Sequence, residues 1–125
     1  MRQQAVCLCA VLIGCALFFA SVPGQAHAIL RRATPGVGAT IHAAPANLRL
    51  WFSEELNVTR CHVDVLDSGG HSVLSGKPQT SSDDPKELIV PLEPALSSGR
   101  YHVHWEAVSM DDHVTMGDFV FQIAN

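Results

Sequence analysis

The stretch Gly99-Arg100-Tyr101-His102-Val103-His104-Trp105-Glu106-Ala107 alternates along its length. Tyr101, Val103, Trp105 and Ala107 fall on one face, and Arg100, His102, His104 and Glu106 on the other. A period of two marks a strand with one buried face. Asp118 to Ile123 repeats the pattern, with Phe119, Phe121 and Ile123 inward. Upstream, Asn47 to Ser53 puts Leu48, Leu50 and Phe52 on one face; Trp51 interrupts the polar face and is expected to be partly covered. Cys61 to Leu66 sets Cys61, Val63 and Val65 against His62 and Asp64. Ser68-Gly69-Gly70 reads as a hairpin turn into a further strand, His71 to Leu74. Ile29 to Ala33 is a first strand. Glu87 to Pro91 is a short one, with Pro91 marking a sheet edge or a strand end. Ser75 to Lys86 is polar and loop-like. Pro and Gly punctuate the chain too often for a long helix with an apolar stripe. The expectation is an all-β protein, an antiparallel sandwich of about seven strands.

The chain has 125 residues and fits one domain. Its start has a different character. Arg2 is followed by 18 uncharged residues, Ala5 to Val22, then Pro23-Gly24 and Gln25-Ala26. A basic start, an apolar run, a breaker and small residues at Gly24 and Ala26 describe a secretory signal. Residues 1–26 are therefore read as a signal peptide and residues 27–125 as the mature domain, outside the cytoplasm. Three other readings stay open: a cut after Ala28, an uncut anchor, and a lipoprotein box at Leu12-Ile13-Gly14-Cys15.

Cys7, Cys9 and Cys15 lie in the leader, so Cys61 alone survives processing and no intrachain disulfide can form. Cys61 reads as a small strand residue. Losing Arg2 takes the formal charge from −4 to −5. With no basic patch, nucleic acid is excluded as a partner. A mild acidic excess suits a soluble cation binder. Cleavage would leave no stable membrane insertion, and a monomer is expected.

The chemistry concentrates at two places. If His27 is the N-terminal residue, its α-amine and ring nitrogen can chelate one metal ion. Asp111 and His113 stand two apart, so in extended chain they point the same way. An amine, two imidazoles and a carboxylate form a nitrogen-rich set that favours Cu(II), one per chain; Zn(II) would accept the same donors. The plain alternatives are a loose terminal residue and a polar loop. His102 and His104 share a strand face and would bind metal weakly at most. Met110 and Met116 read as core or loop filling.

Five motifs, taken in order, carry a resemblance. His27-Ala28-Ile29-Leu30 resembles H-A-x-L. Thr34-Pro35 with Gly38-Ala39 resembles TP-x-x-GA. Leu50-Trp51-Phe52-Ser53-Glu54 resembles L-x-F-S-E. Gly99-Arg100-Tyr101-His102-Val103-His104-Trp105 resembles G-x-Y-x-V-x-W. Val108-Ser109, Asp111, His113, Gly117, Phe119 and Phe121 resemble VS-x-D-G-H-x-x-x-G-x-x-x-F. Together they resemble the CopC/PcoC family of periplasmic copper-binding proteins, YobA-like members included. The resemblance implies a Greek-key β-barrel or an Ig-like or cupredoxin-like sandwich. It implies Cu(II) held by the amine and ring of His27, by Asp111 and by His113, with Glu54 beside the site. It also implies copper resistance or transport, with delivery to an inner-membrane CopD-like transporter. Two positions depart from the pattern. Asp112 stands where the family usually has Gly; Asp tolerates positive φ better than most residues and would add a carboxylate near the metal. The loop from Lys77 to Glu87 lacks the Met residues with which some members bind Cu(I), so a dedicated Cu(I) site is not expected.

Two other functional classes fit parts of the pattern. An N-terminal His with a second His also builds the copper brace of lytic polysaccharide monooxygenases, a copper-dependent enzyme, but Asp111 would occupy the position oxygen needs. A metal-free sandwich interaction domain is the other.

Overall fold

The computed structural model describes residues 27–125; the signal-peptide reading of residues 1–26 lies outside the described residues. Eight strands run in order: β1 (Leu30–Thr34), β2 (Thr40–Ile41), β3 (Asn47–Phe52), β4 (His62–Leu66), β5 (Gln79–Thr80), β6 (Glu87–Pro91), β7 (Gly99–Val108) and β8 (Val114–Ile123). They form two four-stranded sheets, ordered β1-β3-β6-β5 and β2-β8-β7-β4. The fold is the expected all-β sandwich.

The alternation explains the core. Leu48, Leu50 and Phe52 of β3, Leu88 and Val90 of β6, and Val63 and Val65 of β4 are all buried. So are Tyr101, Val103, Trp105 and Ala107 of β7, and Phe119, Phe121 and Ile123 of β8. Burying one such side chain contributes about 1.5–3 kcal/mol, which makes the facing of the two sheets the main source of stability. Phe52 meets Trp105 edge to face between the sheets, centroids 5.2 Å apart, and Tyr101 stacks on its cross-strand partner Phe121 at the same distance. The Tyr101 hydroxyl donates to Ser97 O at 2.6 Å, so its polar end is satisfied. Glu87, buried, is paired with Arg49 at 2.9 Å.

Several details differ from the sequence-based expectation. His71–Leu74 is not a strand. It makes isolated bridges, Leu66 to Ser72 in one sheet and Leu74 to Leu92 beside the other, because the chain is crossing between sheets there. Two strands of two residues each, β2 and β5, are too short to show periodicity; β5 lies in the segment read as loop, and β2 pairs parallel to β8. Pro91 ends β6, which lies inside its sheet, so the strand-end reading holds and the edge reading does not. Trp51 is half-buried, with the Arg32 guanidinium 3.8 Å above its ring. Met110 and Met116 are each 63% exposed, so neither fills the core.

β7 and β8 pair antiparallel without a slip from Gly99–Ile123 to Val108–Val114. Gly117 lies opposite Trp105 in this ladder, and a Cβ there would come 2.6 Å from Trp105 Cζ2. The indole needs that space. Gly117→Ala is therefore expected to cost about 1–3 kcal/mol through overpacking. In thermal unfolding the Tm should fall by roughly 4–8 °C per kcal/mol. An unchanged Tm would show that the indole can move aside freely.

Candidate metal centre

The loop joining β7 to β8, Ser109 to His113, carries both acid and imidazole. Ser109 organises it. Its N–H donates to His113 O at 3.0 Å, its hydroxyl lies 3.2 Å from the same oxygen, and its carbonyl accepts from Asp112 N at 3.0 Å. Ser109 is 2% exposed, and its Oγ also hydrogen-bonds Asp111 Oδ1. Met110 N donates to Glu55 O at 3.2 Å, tying the loop to the end of β3.

This closure requires a left-handed residue. Asp112 has φ of 67°, the conformation for which Gly is favoured and Asp tolerated. The Asp112 carboxylate pairs with Arg60 at 2.6 Å and makes no hydrogen bond to His27 or His113 among the described residues. Asp111 and His113 do come together: Oδ2 lies 2.9 Å from Nδ1. The Ser109 hydroxyl first, then His113, holds the Asp111 carboxyl below its ordinary pKa. The group is thus kept ionised, as a ligand must be.

His27 arrives from the opposite direction. Ala28 is fully buried, and its carbonyl accepts from Thr115 Oγ1 of β8 at 2.5 Å. Ser53, just past β3, accepts from Ile29 N at 2.9 Å and donates to His27 O at 3.1 Å. β1 then pairs with β3, with a register shift between Leu30 and Arg32. These contacts bring the His27 ring to 5.0 Å from the His113 ring, centroid to centroid, at 69°.

The donor set fits a metal ion of the Cu(II) or Zn(II) type. A ring bound at about 2.0 Å has its centroid roughly 3.1 Å from the ion, so two coordinated rings stand about 4–6 Å apart. Cis ligand atoms at that bond length are about 2.8–3.3 Å apart. The ring and carboxylate spacings here match both. Among the described residues no three His, Cys, Asp or Glu side chains already converge into a cage. The Asp111–His113 pair is held together by its own hydrogen bond, and His27 has to turn toward it.

Glu54 lines a depression of about 380 Å³ with Glu55, Lys86, Ser109, Met110 and Asp111. It is half-buried there, on the Asp111 side. Among the described residues no hydrogen bond joins it to His27, Asp111 or His113. Sequence reasoning missed Ser53, Ser109 and Thr115, which fix the site. Ser53 and Ser109 stand inside the L-x-F-S-E and VS-x-D-G-H patterns, the one available signal for them.

Residues 30–124 match the CopC domain. The chain belongs to the CopC domain family. It is 33% identical over 98 residues to Protein YobA of Escherichia coli K12, covering 78% of this chain and 79% of that one. Against Copper resistance protein C of Pseudomonas syringae pv. tomato the identity is 33% over 108 residues, 82% and 85% of the two chains. The crystal structure of CopC from Methylosinus trichosporium OB3b superposes with a TM-score of 0.71 at 28% identity, covering 78% of this chain and 93% of the other.

Removing the Ser109 hydroxyl should act first on Asp111. In metal-free Ser109→Ala protein the Asp111 carboxyl is expected to titrate closer to its ordinary value, followed by carbon-13 NMR. A carboxylate depressed in the folded state adds stability above its unfolded pKa and loses it as pH falls through the folded one. Acid unfolding of the wild type should therefore be steeper than that of the variant across this window. An unmoved Asp111 titration would mean that His113 alone sets it.

Proposed function

We propose that the mature chain, beginning at His27, is a periplasmic Cu(II)-binding protein that sequesters or delivers copper. One Cu(II) binds through the α-amine and ring of His27, the carboxylate of Asp111 and the imidazole of His113. Glu54 adds negative charge beside them. The observation that carries this reading is the meeting of the His27 ring with the Asp111–His113 pair. The burial and hydrogen bonding of Ala28 support a cut before His27: a cut after Ala28 would remove the residue that locks the start of the chain to Thr115. The relatives named for copper resistance support the same cargo.

Four donors from the protein fill a tetragonal plane, which suits holding copper over activating a substrate on it. The reading is accordingly of a carrier, not an enzyme, working as a monomer. Handover to a CopD-like membrane transporter is the step such a carrier would serve.

The decisive measurement is Cu(II) EPR with stoichiometry on protein starting at a free His27, beside protein with one extra residue ahead of it. The free form should give a one-to-one, nitrogen-rich tetragonal signal at low copper, and the extended form should lose it. Identical spectra would remove the His27 amine from the site. Copper-loaded protein should also show no peroxide-driven oxidation of a chromogenic substrate.

Ser53→Ala should weaken this copper by about 10–100-fold, the usual effect of losing a group that orients a ligand. Competition against a chromophoric chelator measures it. Equal affinity would show that Ser53 does not set the position of His27.

A further inference from the structure

The outward face of the β7–β8 ladder carries a second group of side chains of the metal-ligating types, close together but not converged into a cage. His102 and His104, two apart on β7, project from the same side of the sheet, and Asp118 of β8 stands directly opposite His104. Asp118 Oδ1 lies 3.0 Å from His104 Nδ1 and 3.4 Å from His102 Nε2. We propose that His102, His104 and Asp118 form a second, weaker Cu(II) site on the flank of the hairpin. The site is separate from the N-terminal centre and does not depend on how the leader is cut.

The spacings carry the argument. Ligand atoms bound at about 2.0 Å are roughly 2.8 Å apart along a square-planar edge and 3.3 Å apart in a tetrahedron. The two imidazole–carboxylate separations are close to that range, and both share one oxygen. An ion can take the place of the hydrogen bond that joins His104 Nδ1 to Asp118 Oδ1. On its far side, His104 Nε2 lies 3.6 Å from Glu106 Oε1. At that distance Glu106 adds negative charge beside the ring without a hydrogen bond to it. Asp64 of β4 lies across from His104 in the adjacent row. Its Oδ1 already accepts from Ser72 Oγ and Val65 N, so it contributes negative charge and no ligand.

Two imidazoles and a carboxylate suit Cu(II) or Zn(II), and Cu(II) stands above Zn(II) in the divalent affinity order. All three side chains are between one third and just over one half exposed. They are open to an ion from solvent, and also screened and free to move. That makes the flank the weaker of the two sites. Along the strand, His113 is five residues from Asp118, so the two ions would be roughly 17 Å apart.

Titration with Cu(II) alone tests this, followed by calorimetry and EPR. Protein with a free His27 should take two equivalents, the second more weakly. H102A/H104A should take one. Protein extended ahead of His27 should keep one equivalent, and adding H102A/H104A to it should abolish binding. The same substitutions must leave the thermal unfolding curve in place, as expected for outward positions; Asp118→Asn, which keeps the side-chain size, should also weaken the second equivalent. Pulsed EPR on doubly loaded protein should show a copper–copper coupling at that distance. Saturation at one equivalent in the free-His27 protein, or a second equivalent that survives in H102A/H104A, overturns the flank site. A second equivalent taken by Zn(II) in preference to Cu(II) overturns the choice of metal. Loss of the first equivalent with retention of the second would instead count against the N-terminal centre alone.

Discussion

The unbroken pairing of β7 with β8 decides where everything else stands. Ten residues on each strand pair in register, and their inward side chains supply a large part of the core. A slip of one residue would turn either Tyr101, Val103 and Trp105 of β7 or Phe119 and Phe121 of β8 to solvent, and bring His102 and His104 or Asp118 inside. Moving that much apolar area into water far exceeds a typical net stability of about 5–15 kcal/mol. With the register fixed, the Ser109–His113 loop has a single place to close, and Ser109 closes it from a buried position. The geometry of Asp111 and His113 therefore rests on packing several residues away, including the indole that occupies the space beside Gly117.

His27 is held by a smaller margin. Four hydrogen bonds bind the His27–Ile29 segment to Ser53 and Thr115, each worth about 0.5–1.5 kcal/mol net. Fixing the backbone of a residue opposes them by about 1–2 kcal/mol. The balance is close, so burial of Ala28 decides that the segment stays down. The ring of His27 is beyond the last of these anchors. This division suits the carrier proposed above: the loop is preorganised, while His27 is positioned but able to turn.

The strands with a full alternating face were legible because burial on one side of a sheet writes itself into every second residue. β3, β4, β7 and β8 are of this kind, whereas β6 is a short apolar run closed by Pro91. Strands of two residues carry no period, which hides β2 and β5. Ser68-Gly69-Gly70 does form a tight turn, with Asp67 N donating to His71 O at 2.9 Å, and it reads as a hairpin. The path of the chain beyond that turn is decided by sheet-to-sheet packing, which no local pattern reports. At the site, Asp111 and His113 are visible from spacing, and Asp112 can be understood as a residue that tolerates the left-handed turn. The role proposed for His27 depends on reading residues 1–26 as a leader, which no pattern within the described strands reports. Ser53 and Thr115 are polar residues at strand ends, and their importance exists only once β1 lies beside them.

The same alternation that builds the core also places His102 and His104 outward, on the strand that leads to the metal loop. The two groups of donors then differ in support, not in chemistry. Asp111 is fixed by a buried hydroxyl and by a loop whose backbone bonds are complete. Asp118 is a strand residue in water, bonded to imidazoles that are themselves exposed. Imidazole–carboxylate pairs of the second kind are weak because water screens them and side-chain entropy opposes them. A chain with a formal net charge of −4 favours cations at both places. If both places bind copper as proposed, preorganisation ranks them: the tip of the hairpin would retain an ion at scarce copper, and the flank would fill only when copper is abundant.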